Sequence, residues 1–339
     1  MAVTIRDVAK RAGVSPSTAS RALNGKGRMR PETRARILRA AQELGYRPNV
    51  HARGLATRVT GCVGVVIAAR HLPVERSFYG LVLEAIESTL DEEGYHVVFS
   101  VLRDQSPPKC AQEGRVDGLT ILGTDIGPEL VLPLREELPV VLVDNAVPGV
   151  DSLLPDNESG ARAAVEHLIS HGHREIAFIA ETLADPSVAR RLAGYRAALE
   201  AYGIPFREEL VAEGGRRPQS WRGAMERLFS LKKFPSAIFA ANDSMAIGAM
   251  RVLQERGIPV PEGVAVVGFD DGDLAPYVTP PLTSVFVPRW ELGEAAARRL
   301  LELIRGEEPR ARQVVLATEL VVRRSCGCTH PGPGSASAG

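Results

Sequence analysis

The sequence is short of several features that would settle its class at once. No uninterrupted run of 18 apolar residues occurs, so no membrane-spanning helix is expected. Only 4 of the 339 residues are cysteine (Cys62, Cys110, Cys326 and Cys328), too few for a disulfide framework in a chain this long, which fits a reducing compartment. The opening "MAVTIRDVAKRAGV" has neither an apolar core nor a small-residue cleavage site, so a secretory signal is not expected and a cytoplasmic location is. Catalytic signatures are missing too. There is no G-x-S-x-G elbow, no phosphate-cradling G-x-x-x-x-G-K-[ST], no H-E-x-x-H, and no G-x-G-x-x-G after a strand. An enzyme is therefore not expected.

Net charge is also missing: 41 basic residues balance 41 acidic ones. The balance hides a split. Residues 1–60 hold 13 Lys and Arg against Asp7, Glu32 and Glu43, a charge of +10, and the rest of the chain carries −10. A basic head joined to an acidic body suggests a module for a polyanion.

The head reads as helical over residues 1–46. Thr4 can cap a first helix with Asp7 three residues on, and Ile5, Val8, Ala9 and Ala12 share one face. Gly13 ends it. In "GVSPSTASRALNG", Ser15 caps a second helix, Pro16 takes the first position where its missing N–H costs nothing, and Ala19, Ala22 and Leu23 face inward. Asn24 and Gly25 stop it. "PETRARILRAAQELG" follows, with Ile37, Leu38, Ala41 and Leu44 as its core and Gly45 as its cap. Helix, glycine turn and short helix in basic surroundings make a helix-turn-helix pattern. Its second helix would present Pro16, Ser17 and Arg21 to a major groove, where Arg21 can grip guanine O6 and N7. Hydroxyls such as that of Thr18 can hold phosphates. Residues 47–60 are basic and weakly amphipathic and read as a linker that orders on binding.

From residue 61 apolar strands alternate with amphipathic helices. Strands are expected at 62–68, 95–102, 116–122, 140–144, 175–180, 237–241 and 264–270, and helices at 77–93, 158–171, 188–202, 221–231, 244–256 and 289–305. Repeated β-α units imply parallel sheets covered by helices, with ligands beyond the carboxyl ends of the strands. The last residues are low in complexity, and 326–339 are expected to be a disordered tail.

The block "TIRDVAKRAGVSPSTASRALNGKGRMRPETRARILRAAQELGYRPNVHARGLAT" closely resembles the N-terminal signature of the LacI/GalR family of bacterial transcriptional regulators. So do "RVDGLTIL", "VEHLISHGHREIAFI", "RLAGYRAAL", "AIFAANDSMAIGAM" and "VAVVGFDD", and the match spans almost the whole chain. The resemblance implies an all-α helix-turn-helix domain plus an α/β core of two Rossmann-like subdomains, similar to type I periplasmic binding proteins. It divides the chain into a DNA-binding domain (1–46), a hinge (47–60), and an effector-binding and dimerisation core (61–325). Subdomain 1 would comprise about 61–157 and 288–318, and subdomain 2 about 158–287 and 319–325. It implies a homodimer on double-stranded operator DNA, a sugar-like effector and reciprocal coupling of the two.

By the same resemblance, Thr4, Ser15, Pro16, Ser17, Thr18, Arg21, Asn24, Asn49, Arg53 and Leu55 contact DNA. Leu55 would wedge into the minor groove, unstacking a base step at a cost of roughly a few kcal/mol. Arg191, Asn242, Asp270, Phe78, Tyr79 and Asp144 would bind the effector. Arg191 offers a planar donor fork, and Asn242, Asp270 and Asp144 stand at carboxyl ends of strands. Without its basic head the chain would read as an extracellular solute receptor. The head and the missing signal argue against that.

Two features tempt a metal reading. His167 and His171 lie four apart on a helix, and Cys326-Gly-Cys328 precedes His330. The histidines have no matched Asp, Glu or Cys set beside them, and one cysteine cluster in a terminal tail is a weak signal, so no metal and no cofactor are expected. One departure from the family pattern stands out. The connection "RDQSPPKCAQEG" is too short and proline-rich for the usual helix, which should be lost or reduced to a turn. "GGRRPQSWRG" also lacks the usual pocket-closing aromatic spacing, leaving Trp221 unassigned to ligand.

Overall fold

The computed structural model describes residues 3–23, 29–46, 59–72, 78–104, 106–215, 219–307 and 310–328. It forms two units, Met1–Gly61 and Cys62–Gly339.

The first unit contains α1 (Ile5–Ala12), α2 (Pro16–Leu23) and α3 (Pro31–Glu43). Thr4 N and Oγ1 both donate to Asp7 Oδ2, at 2.9 and 2.7 Å, and Gly13 closes α1 at φ +65°. Ser15 Oγ accepts from Thr18 N at 3.2 Å, so Ser15 starts α2 as its residue type predicts. The core is mostly alanine around Val8 and Ile37: Val8, Ala9, Ala12, Ala19, Ala22, Ile37, Ala40 and Ala41 are buried. Leu38, expected inside, is 47% exposed and Ala40 takes the inward place. Ile37, Ala40 and Ala41 share one face of α3 at i, i+3 and i+4, and position 38 falls off that face.

The second unit holds two six-stranded sheets. The first is built from β1 (Cys62–Ala68), β2 (His96–Leu102), β3 (Leu119–Leu122), β4 (Val140–Val143), β5 (Asp151–Pro155) and β11 (Gln313–Leu316). Its order is β2-β1-β3-β4-β5-β11, and every pairing is parallel. The second contains β6 (Ile176–Ala180), β7 (Val211–Glu213), β8 (Ala237–Ala240), β9 (Ala265–Asp270), β10 (Thr283–Phe286) and β12 (Glu319–Val321). Its order is β7-β6-β8-β9-β10-β12, parallel except for the β10–β12 pair. The chain passes between sheets three times, after β5, after β10 and after β11.

The central strands are buried along their length, as expected of parallel strands covered on both faces. On the first sheet the helices are α4 (Phe78–Glu92), α5 (Lys109–Gln112), α6 (Pro128–Glu137) and α11 (Arg289–Ile304). On the second they are α7 (Asn157–Ser170), α8 (Pro186–Ala201), α9 (Ser220–Phe229) and α10 (Asp243–Glu255). Helix α8 lies hard against α7 because Gly194 has no side chain. A Cβ there would stand 2.2 Å from Glu158 O. In the core beneath, Phe178 packs on Tyr195 and Phe239, and Tyr195 Oη donates to Ile176 O at 2.8 Å.

The shortened connection is α5, four residues of which Cys110 is the buried one, which agrees with the sequence expectation of a reduced helix. The expected tail needs correction at its start. Cys326 is 1% exposed and Ser325 fully buried, because Ser325 Oγ donates to Val266 O at 2.6 Å and accepts from Thr283 N at 2.8 Å. Those bonds tie the segment after β12 into the second sheet. Among the described residues no helix is long and apolar enough to cross a membrane.

Candidate effector cleft and DNA-reading helix

In both sheets the strand order, not the strand direction, switches between two parallel neighbours, β1 beside β3 and β6 beside β8, so that successive connections leave toward opposite edges. Such a switch opens a crevice outside the carboxyl ends of the strands. A cavity of about 220 Å³ lies there, between the two sheets. Phe78, Tyr79, Asp144, Arg191, Asn242 and Asp270, the six residues singled out from sequence, all line it.

The strand ends deliver these groups in unusual backbone conformations. Asp144 follows β4 at φ +57° and Asp270 ends β9 at φ +103°. Non-glycine residues with positive φ are costly and persist where surrounding contacts hold them, often at functional sites. Asp144 is held from both sides of the cleft. Tyr79 Oη on α4 donates to its Oδ2 at 2.9 Å, and Ser187 Oγ on α8 donates to its Oδ1 at 2.7 Å. Burial raises its pKa to about 6, against the pull of Ser187, Arg191 and Tyr79. The same burial and the nearby carboxylate push the Tyr79 phenol well above its ordinary value.

Arg191 projects from α8 and is 6% exposed. Its Nε donates to Asn157 Oδ1 at 2.7 Å, its Nη1 donates to Ala241 O, and its guanidinium lies 3.8 Å from the centre of the Phe269 ring. Its Nη2 is 3.2 Å from Asp270 Oδ1, an ion pair without hydrogen-bond alignment that leaves Oδ1 buried and without a hydrogen-bond partner. Burial raises the Asp270 pKa, while Arg191 and Arg289 oppose the shift. Asn242 caps α10, accepting from Met245 N at 2.9 Å through Oδ1. Its side chain also bonds Glu181, whose pKa burial raises. Asn242 therefore both builds the helix start and lines the cavity.

Behind the cavity Asp243 accepts from Ser284 Oγ at 2.5 Å and from Gly272 N at 2.6 Å. Burial and the neighbouring Asp270 raise its pKa to about 7. Gly268 makes the room, since a Cβ there would lie 2.2 Å from Asp243 Oδ1.

Sequence reasoning missed Arg70, His71, Thr124, Glu181, Thr182, Asp185, Ser187 and Val188, which complete the lining. Arg70 Nη2 donates to Thr124 Oγ1 at 2.5 Å, and Thr124 Oγ1 donates to Asp185 Oδ2 at 2.7 Å, a second link across the cleft. Burial first, then the Arg70 charge, lowers the His71 pKa to about 4 against Asp125 and Asp185. A signal existed. Arg70, Thr124 and Glu181 each follow a strand's carboxyl end by one or two residues, and Asp185-Pro186 is a helix-start signature. Trp221 stays out of the lining and packs on Gly248 instead.

On the other unit, Thr4, Ser15, Pro16, Ser17 and Arg21 are exposed and Thr18 half-buried. Ser17 and Arg21, four apart, share a face of α2. Ser15 Oγ lies 2.9 Å from Ser17 Oγ and 2.8 Å from Thr18 Oγ1, a cluster of hydroxyls at the helix N-terminus. Asn24, Asn49, Arg53 and Leu55 lie outside the described residues.

Residues 4–49 match the model of bacterial regulatory proteins of the lacI family, and residues 165–326 match a periplasmic binding protein-like domain. The probable HTH-type transcriptional repressor ExuR of Bacillus subtilis is 33% identical over 327 residues, covering 95% of this chain and 98% of that protein. The chain belongs to the LacI family. A solved lac repressor dimer, bound to operator and the anti-inducer ONPF, superposes on this LacI-family chain with a TM-score of 0.83 at 30% identity, covering 96% of this chain and 99% of that one. A complex of the regulator CelR with cellobiose gives 0.71 at 34% identity, covering 95% and 99%. The LacI-family assignment makes this protein a DNA-binding transcriptional regulator and not an enzyme.

Proposed function

We propose that this regulator represses transcription as a cytoplasmic homodimer on a pseudo-palindromic operator, and that a small neutral sugar in the cleft sets its operator affinity. Asp144 carries the reading. One buried carboxylate accepts from Tyr79 on one side and Ser187 on the other, so a ligand that reorganises it changes how the two sheets are joined. Four carboxylates (Asp144, Glu181, Asp185, Asp270) and two guanidiniums (Arg70, Arg191) line the cavity. Such a surface suits hydroxyl groups and disfavours a carboxylate or phosphate. A volume of about 220 Å³ suits a ligand of one ring, below the roughly 300–1,000 Å³ of drug-sized sites.

In this reading Ser17 and Arg21 read bases, Ser15 and Pro16 set the helix start, and Thr4 and Thr18 serve phosphates. Asn24, Asn49 and Arg53 add contacts, and Leu55 wedges the minor groove. The homodimer is supported by large apolar side chains left exposed on the core, Phe99 at 46% and Tyr277 at 83%, and by the lac repressor's being solved as a dimer. Effector and operator affinities are then linked reciprocally, typically by about 1–3 kcal/mol.

The test is titration of the purified protein with neutral monosaccharides, disaccharides and sugar acids, read by calorimetry and by operator-DNA anisotropy across a salt series. A neutral sugar should bind and shift operator affinity. Tighter binding of sugar acids would overturn the ligand class. No salt-sensitive, sequence-selective DNA binding would overturn the regulator's mode of action.

A further inference from the structure

Away from the cleft, the fold brings together the two groups that sequence separation kept apart. His167 lies in the last turn of α7 and His171 just beyond it. Cys326 and Cys328 follow β12, more than 150 residues later. Cys328 Sγ stands 3.0 Å from His171 Nε2, 3.2 Å from His167 Nε2 and 3.2 Å from Cys326 Sγ, while Cys326 Sγ is 3.3 Å from His167 Nε2. The donor atoms of His167, His171 and Cys328 all lie within 4.8 Å of one another. All four residues belong to the same unit of the chain.

We propose that His167, His171, Cys326 and Cys328 form a tetrahedral Zn²⁺ site that fastens the C-terminal segment to α7. Two thiolates and two imidazoles are the donor set that selects zinc. Zn–S bonds of about 2.3 Å and Zn–N bonds of about 2.0–2.1 Å place tetrahedral ligand atoms about 3.3–3.8 Å apart. The four separations above are shorter than these by about 0.3–0.6 Å, while Cys326 lies outside the trio whose donor atoms all fall within 4.8 Å of one another, so seating the ion takes side-chain movements that spread the close pairs and bring Cys326 toward His171.

The surroundings fit. His171 Nδ1 lies 2.8 Å from His167 O, which fixes the proton on Nδ1 and turns the Nε2 lone pair toward the cluster. Thr283 Oγ1 donates to Cys326 Sγ at 3.1 Å, as a thiolate ligand requires. Gly327, at φ +87°, turns the chain between the two cysteines so that both sulfurs reach the same point. Burial grades outward from Cys326 through His167 and Cys328 to the exposed His171, giving an ion a way in. Four protein ligands leave no open position, so the site is structural. Each thiol gives up its proton as its sulfur binds the metal.

The test uses untagged, full-length, reduced protein freed of metal. Co²⁺ added alone should give one equivalent per chain with the visible bands of tetrahedral coordination and a thiolate charge-transfer band, and Zn²⁺ should displace it. Zn²⁺ should raise the melting temperature of the wild type by several degrees and leave Cys328→Ser unmoved. His171→Gln, at the exposed ligand, keeps the fold and should lose most of the affinity, while Cys62→Ser should bind as the wild type does. Three results would each overturn the proposal. They are no metal uptake by the reduced chain, uptake unchanged in Cys328→Ser and His171→Gln, and a Cys326–Cys328 disulfide that persists under cytosolic thiol conditions.

Discussion

Ser187 on α8 and Tyr79 on α4 stand on different sheets and donate to the two oxygens of one carboxylate, that of Asp144. The cleft is thus closed by a polar clamp at its centre, with Arg70, Thr124 and Asp185 forming another link beside it. A group that serves as clamp must be satisfied whenever it is buried. A ligand hydroxyl can take either donor's place at the carboxylate and accept from the hydroxyl it displaces, which leaves no orphan.

The clamp makes stability depend on pH. Asp144 has its folded pKa raised from 3.8 to about 6 by burial. A raised carboxylate pKa contributes stability that is fully present below pH 4 and is lost as pH rises through about 6. Asp144→Asn keeps an acceptor for Tyr79 and removes this titration. Relative to wild type it should gain on the order of 2–3 kcal/mol at pH 8 and little at pH 4. Urea unfolding at several pH values checks this. A residual fall through about pH 7 belongs to Asp243, whose pKa is raised to about 7.

Arg191 is the buried cation of the cleft. Removing it in Arg191→Ala leaves the buried Oδ1 of Asp270 without its ion partner, at a cost of roughly 3 kcal/mol. Effector binding should vanish by calorimetry while operator binding survives at low temperature. Arg191→Lys should restore stability in part but not effector affinity, because an ammonium cannot reach Asn157, Ala241 and Asp270 together.

Gly268 has no room for a methyl group beside Asp243. Gly268→Ala should destabilise the core by about 1–3 kcal/mol. Chemical denaturation should show the loss in the core, with the head's helix content unchanged.

On the DNA side, Arg21→Ala should cost about 1–3 kcal/mol of discrimination at one operator base pair, measured against a panel of single-base variants. Its loss should relax specificity there more than it changes non-specific binding. Leu55→Ala should weaken operator binding while sugar binding holds. Equal loss of both would point to misfolding and away from a wedge.

The elements that sequence made legible are those whose signal is local. The capped helices of the head follow from Thr4, Gly13, Ser15 and Pro16, each acting within a turn of itself. The long strand β1 and helices such as α8 and α11 follow from periodic burial. Of the six cleft residues, Asp144, Asn242 and Asp270 were legible at strand ends, whereas Phe78, Tyr79 and Arg191, which stand on helices, came from the family resemblance alone. Strands β5, β7, β10, β11 and β12 were not legible. They are three to five residues long and owe their extended form to partners far away in the chain. Helix α6 was hidden by Pro133 within it.

The sequence by itself determined a basic helical head, an α/β body, and which strand ends carry polar groups that line the cavity, because charge, capping and periodicity act over a few residues. Only the tertiary structure decided that Ser187 reaches Asp144, that Thr124 reaches Asp185, and that two histidines on one helix meet two cysteines near the end of the chain. Those meetings depend on how the chain crosses between its two sheets. Residues 43, 61 and more than 150 positions apart are brought within bonding distance by packing that no local pattern encodes.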